Sequence, residues 1–281
     1  MQTIDEYITK AHHLVPAPHV LPQLMPLLNR TDIDNSRVVE IISYNPALTA
    51  SVLRVCNSAY FSRGTSIDNL AHAVTRLGFR EIYQIVVAVT GAMTLSCPQK
   101  GYGVEAKELW EHSVTTAVAA QVIARDLGED ENIVFTAALL HDLGKIILAN
   151  AMESLAPQFR EEIGKGQSIM DVENKLLGAN HAEVGAKLLE RWNLPQHLVM
   201  AVRFHHHPSE AGTHQRLAAC VYLGNFMAYF MGHGYGDHAL SLVGRDDALR
   251  ILKLESEKLP GYMEQCFERL KAVKSMFGIV G

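Results

Sequence analysis

The sequence predicts an all-α protein, a bundle of many helices, on three observations. Apolar residues recur at spacings of three and four through most of the 281 residues. Few segments alternate apolar with polar residues as a half-buried strand does, and the breaks between periodic stretches carry helix caps, prolines and glycines. Asn45-Pro46 opens one helix, because Asn caps and Pro is tolerated at the first helical position; Leu48, Val52, Val55 and Ala59 then share a face. Asp68 is expected to cap a short helix that closes at Leu77-Gly78, with glycine in the left-handed terminating position, and Arg80–Thr94 follows as a largely buried helix. Cys97-Pro98-Gln99-Lys100-Gly101-Tyr102-Gly103 packs a proline and two glycines into seven residues and marks the clearest boundary. Beyond it, helices are expected near 105–127, 131–149, 168–177, 181–192, 196–206 and 215–231. A glycine-rich stretch, Gly232–Gly236, then precedes a terminal helical pair ending near Phe277. The segmentation is therefore 1–98, 104–231 and 237–281, together one domain, with no internal repeat.

Composition narrows the function classes. Hydrophobic residues make up 48% and charged residues 20%, which is ordinary globular usage and argues against extended disorder. The net charge of −5 lacks the basic surplus that neutralises phosphates, so no nucleic-acid partner is expected. The Ser43–Pro46 joint superficially suggests a helix-turn-helix, yet its second helix, 46–57, offers Arg54 as its lone cation. No membrane partner is expected either, since no uninterrupted apolar run approaches the ~18 residues of a span. Four scattered cysteines and the lack of a leader pattern suit a reducing, cytoplasmic setting.

Histidine is the anomaly, with 14 in the chain. His141-Asp142 sits inside the apolar run 137–147, where burying an imidazole and a carboxylate is costly without a compensating partner. Read as neighbours on one helix, the two side chains point about 100° apart and meet at one point only through an intervening ion; a buried His–Asp hydrogen bond is the competing account. The dipeptide has company. His112 lies 29 residues upstream on a face with Thr116, Ala119 and Ile123, and His181 heads the stripe Val184, Gly185, Leu188, Leu189, Trp192. His205 and His206 end a helix whose apolar face is Leu198, Val199 and Val202. Imidazoles with one carboxylate suit Fe, Mn, Zn or Ni rather than Ca or Mg. Asp142 would be the ligand shared between two ions, and such a centre lowers the pKa of bound water and presents hydroxide to a phosphate ester.

These residues, with 45–61, Ala73-Val74-Thr75-Arg76-Leu77-Gly78, Trp110-Glu111-His112-Ser113, 139–144, 181–186, Trp192-Asn193-Leu194-Pro195 and 205–208, resemble the HDOD family. This family is a branch of the HD superfamily of metal-dependent phosphohydrolases. The resemblance implies an HD-type helical bundle with an N-terminal helical lobe packed against it, and a role in bacterial signal transduction through protein partners. It implies metal ligands at His112, His141, Asp142, His181, His205 and His206, holding one or two divalent transition ions. It also implies a phosphate contact at Lys145, and thus a phosphate-ester or nucleotide ligand, with catalytic roles for Lys145 and Asp142 should the centre turn over. Two departures stand out: Asn225 occupies the position of the last HD aspartate and would be a weak ligand, and His207-Pro208-Ser209-Glu210 replaces the Gly-Tyr-Pro signature of cyclic-dinucleotide hydrolases.

Overall fold

The computed structural model describes residues 2–11, 20–30, 32–58, 60–61, 67–234 and 245–277. Among them the only β feature is an isolated bridge between Gln99 and Val104, and the rest is helix and turn. The chain opens with α1 (Ile4–Ala11), α2 (Leu21–Leu24), α3 (Asn35–Ser43), α4 (Pro46–Cys56), α5 (Leu70–Leu77) and α6 (Phe79–Leu95). It continues with α7 (Glu108–Leu127), α8 (Glu131–Leu140), α9 (Leu143–Glu153), α10 (Ala156–Gly164), α11 (Ile169–Leu177), α12 (His181–Arg191) and α13 (Gln196–Arg203). The series ends with α14 (Gln215–Ala228), α15 (Arg245–Leu252) and α16 (Leu259–Phe277). These helices fall into two compact units: the described residues of Met1–Ala17 and Thr94–Cys266, and those of Pro18–Met93 and Phe267–Gly281. The grouping departs from the sequence segmentation at both ends, since α1 belongs to the larger unit and the last turns of α16 to the smaller.

In the smaller unit, α3, α4 and α5 bury Val38, Ile42, Val52, Ala73 and Val74. Asn45 caps α4 as expected, its side chain accepting from the Leu48 N–H at 3.0 Å. The cap of α5 is Asn69, which accepts from His72 N–H, and not Asp68; Gly78 terminates the helix at φ 83°. Asn57 ties the chain together, donating to and accepting from the Ile67 backbone at 2.8 and 2.7 Å.

The larger unit is built around α7, buried on nearly all sides and flanked by α8 and α14. Gly224 allows this approach: a Cβ there would lie 2.6 Å from the Thr116 carbonyl. The stretch expected to be one helix over 131–149 is two. It breaks at His141-Asp142, which leaves α8 ending at Leu140 and α9 running from Leu143 to Glu153. The 23 residues Glu131–Glu153 are long and apolar enough to span a bilayer, yet they are almost wholly buried inside this protein. Likewise α13 stops at Arg203, so His205 and His206 lie beyond it, and α14 gives way after Ala228 to a π-helical turn over Tyr229–His233. Part of the glycine-rich stretch, with the rest of 235–244, lies outside the described residues.

Candidate metal centre

Breaking the helix at His141-Asp142 is what places both side chains. His141 closes α8 at φ −57°, ψ −36°, and Asp142 precedes α9 at φ −98°, ψ 9° without its side chain capping that helix. The carboxylate is therefore free of backbone duty. Its Oδ2 lies 3.3 Å from His141 Nε2 and 3.6 Å from His112 Nε2, while Oδ1 lies 3.4 Å from His181 Nε2 and 3.9 Å from His205 Nε2. One carboxylate thus faces two imidazole groups, one per oxygen. Donor atoms of His112, His141 and Asp142 form one cluster and those of His181, His205 and His206 a second, each within 4.8 Å. All six ligands expected from the sequence come together.

Four of the five rings are held by their far nitrogen. Nδ1–H of His112 donates to the His233 carbonyl at 2.7 Å, that of His141 to Ala138 at 2.6 Å, and that of His205 to Val202 at 2.7 Å. His181 instead donates Nδ1–H to the Glu173 carboxylate at 2.7 Å. A ring whose Nδ1 carries the proton presents Nε2 as a lone-pair donor. Accordingly, the Nε2 atoms of His112, His141 and His205 and Asp142 Oδ1 are buried with no hydrogen-bond partner among the described residues. Orphaned buried polar atoms are costly, and four converging on one volume call for a cation. His181 Nε2 and His206 Nε2 lie 3.0 Å apart, close to the about 3.4 Å that two nitrogens bound tetrahedrally to one ion would show. The residues fit a metal.

Electrostatics agree. Burial foremost, with His141 and the Lys145 ammonium nearby, pushes the His112 pKa down to about 3, and burial together with the other imidazoles drives His205 and His206 well below the ordinary range. These rings stay neutral, as ligation requires. Burial opposes ionisation of Asp142, but the facing His141 and the Lys145 ammonium outweigh it and hold its pKa well below the usual carboxylate range. Lys145 is buried and donates to Asp142 Oδ2 at 2.7 Å; burial works against its charge, yet Asp142 raises its pKa overall. Its ammonium points into the centre at the carboxylate, not out toward solvent. Asn225 is buried, with Oδ1 unpartnered among the described residues, one helical turn before Tyr229, whose ring packs on His112 with centroids 5.0 Å apart.

Three residues escaped sequence reasoning: Glu173, Tyr102 and Tyr229. The signal for Glu173 was present, because Ile169, Val172, Glu173 and Leu177 form one buried stripe of α11 and a carboxylate in that stripe demands a partner. The two tyrosines follow no comparable pattern.

A helical unit holding two imidazole clusters across one carboxylate defines a His/Asp-centred all-α protein. Residues 14–208 match the HDOD domain, and the chain belongs to that family. The crystal structure of an HDOD domain protein from Geobacter sulfurreducens shares the fold at TM-score 0.69 and 19% identity, covering 98% of this chain and 99% of that one. A candidate signal transduction protein from Marinobacter aquaeolei VT8 aligns at TM-score 0.77 and 21% identity over 99% of this chain and 61% of its own. A candidate phosphohydrolase from Shewanella amazonensis SB2B aligns at 0.72 and 24%, covering 97% of each. By sequence, a Treponema pallidum protein of uncharacterised function is 27% identical over 218 residues, 76% of this chain and 42% of its own length. Ribonuclease Y from Cutibacterium acnes is 29% identical over 140 residues, 50% of this chain and 20% of that enzyme. The chain thus spans less than half the length of these curated relatives.

Proposed function

We propose that this chain is a regulatory HDOD protein that retains an HD-type centre for one or two divalent transition ions and works through signalling protein partners in the cytoplasm. The observation that carries this reading is closure of the centre. His112, His141, Asp142, His181, His205 and Lys145 are each at most 4% exposed, leaving His206 as the single partly exposed ligand. Burial of this kind leaves little room for a substrate to reach the ions, whereas a catalytic metal site keeps a position open to substrate. His112, His141 and Asp142 would hold one ion, and His181, His205 and His206, with the second Asp142 oxygen, the other. A bound ion of this kind supplies Lewis acidity and a water of lowered pKa.

A second reading, a working metal-dependent phosphohydrolase, is favoured by Lys145, a buried ammonium beside the shared carboxylate. The Ribonuclease Y relatives, enzymes named for cleaving RNA, lean the same way. Elemental analysis of purified protein, followed by turnover assays on an activated phosphodiester, a cyclic dinucleotide and a short RNA, separates the two. The regulatory reading expects one or two transition ions per chain and no hydrolysis above background. Robust hydrolysis that Lys145→Ala abolishes would replace it by the second.

A further inference from the structure

Four imidazoles of the centre have a defined Nδ1 partner, and three of those partners are backbone carbonyls. The exception is His181, whose Nδ1–H donates at 2.7 Å to Glu173 Oε2. The same oxygen accepts the His181 backbone N–H at 2.8 Å, so ring and helix start are clamped together. Glu173 Oε1 accepts from the Tyr102 hydroxyl at 2.7 Å. All three residues are essentially inaccessible to water. The carboxylate accepts three hydrogen bonds, two from His181 and one from Tyr102, while its charge is one imidazole away from the position facing His206.

A carboxylate on the far nitrogen makes an imidazole a stronger donor than a carbonyl does and fixes its tautomer. The other position is handicapped. Its negative charge is Asp142 Oδ2, which already carries the Lys145 ammonium at 2.7 Å, whereas Oδ1, facing His181 and His205, has no hydrogen-bond partner among the described residues. We propose that Glu173, gripped by Tyr102, is a positioning residue that makes His181 the strongest donor of the centre, so that the His181/His205/His206 position is the tighter of the two and fills first. The inference rests on the metal reading above and adds the order of filling and the residues that set it.

Titration of metal-free protein with Co²⁺, followed by its visible ligand-field bands and by calorimetry, tests it. The unmodified protein should take up Co²⁺ in two resolved steps, and His206→Ala should remove the tighter one. Glu173→Gln, similar in shape but uncharged, should weaken that step by about 10–100-fold and leave the other within about threefold, with Tyr102→Phe acting in the same direction by less. Glu173→Asp should restore part of the loss. A purely structural staple would lower the melting temperature while leaving both Co²⁺ steps in place. A Glu173→Gln titration that superimposes on the unmodified one, or that weakens both steps alike, overturns the proposal. Should Glu173→Gln fail to fold, Tyr102→Phe decides, and an unchanged first step there overturns it equally. If the unmodified protein binds no Co²⁺, the metal reading falls and this inference with it; two steps indifferent to Glu173 sink only the inference.

Discussion

Adding one methyl group at Gly144 should dismantle the centre without touching a ligand. Gly144 lies two residues after Asp142, where α9 crosses the start of α12. A Cβ at this position would sit 1.9 Å from the His181 carbonyl oxygen, 2.7 Å from its carbon and 2.8 Å from Gly185 N. All three atoms are backbone, so no side chain can swing aside. Ordinary contact begins at 3.4 Å, so the two helices must part by 3.4 minus 1.9, or 1.5 Å. The displaced groups are those that carry Asp142 and His181, now 3.4 Å apart. Ligand constellations tolerate about 0.5 Å, so Gly144→Ala should lose the ion shared between them. Overpacking of this kind costs about 1–3 kcal/mol, which for a domain of this size lowers the melting temperature by about 2–12 °C, before loss of metal adds its own share. Gly261→Ala is the control: it is exposed, helical and has nothing within 4 Å of the added Cβ, and should be neutral or stabilising by up to about 1 kcal/mol. Melting curves and metal content on the two variants check the argument. A Gly144→Ala protein with unmodified metal content and melting temperature would show that α9 and α12 do not meet as described.

His141→Ala and His181→Ala should each strip most of the bound metal and lower the melting temperature, since ligation ties several helices together; elemental analysis showing full metal in both would refute the ligand assignment. The metal-free protein should be fully stable above about pH 6.5 and weaken as pH falls toward 3. Its buried rings, His112 foremost with a pKa of about 3, stay neutral when folded and take up protons on unfolding. Each contributes a slope of up to about 1.4 kcal/mol per pH unit, and His112→Gln should make the curve of urea midpoint against pH shallower; a flat curve between pH 7.5 and 5 would contradict the neutral assignment. Asn225→Asp places a charge where the amide is 2% exposed, so it should destabilise the metal-free protein and be rescued by Mn²⁺. A loss that Mn²⁺ leaves unchanged would place residue 225 away from any ion.

The all-α class was legible because helical periodicity is written in the apolar residues themselves, and Asn45-Pro46 and Leu77-Gly78 carry local chemistry that marks a start and a stop. The clustering residues were legible for a different reason: an imidazole or carboxylate inside an apolar run is anomalous wherever it sits. What stayed hidden are effects of tertiary approach. Nothing in 137–147 announces that the helix breaks at His141-Asp142, because the apolar pattern runs on through the break. Asp68 and Asn69 are both competent caps, and the structure selects the one whose side chain reaches His72 N–H. Gly144 reads as a weak helix former until α12 is seen pressing its backbone against it.

The break also explains how one short motif can serve two ion positions. In a continuous helix, His141 and Asp142 would diverge by about 100°, and Asp142 would be committed to one side. At a junction the carboxylate leaves both helices, so one oxygen reaches back to the α7 and α8 imidazoles and the other reaches forward to those of α12 and the residues beyond α13. Lys145, one turn into α9, then sits on one of those oxygens only. The two positions therefore differ in charge before any metal arrives. That asymmetry, with Glu173 behind His181 on the other side, means that two ions bound here would be held by unequal surroundings rather than as a symmetric pair.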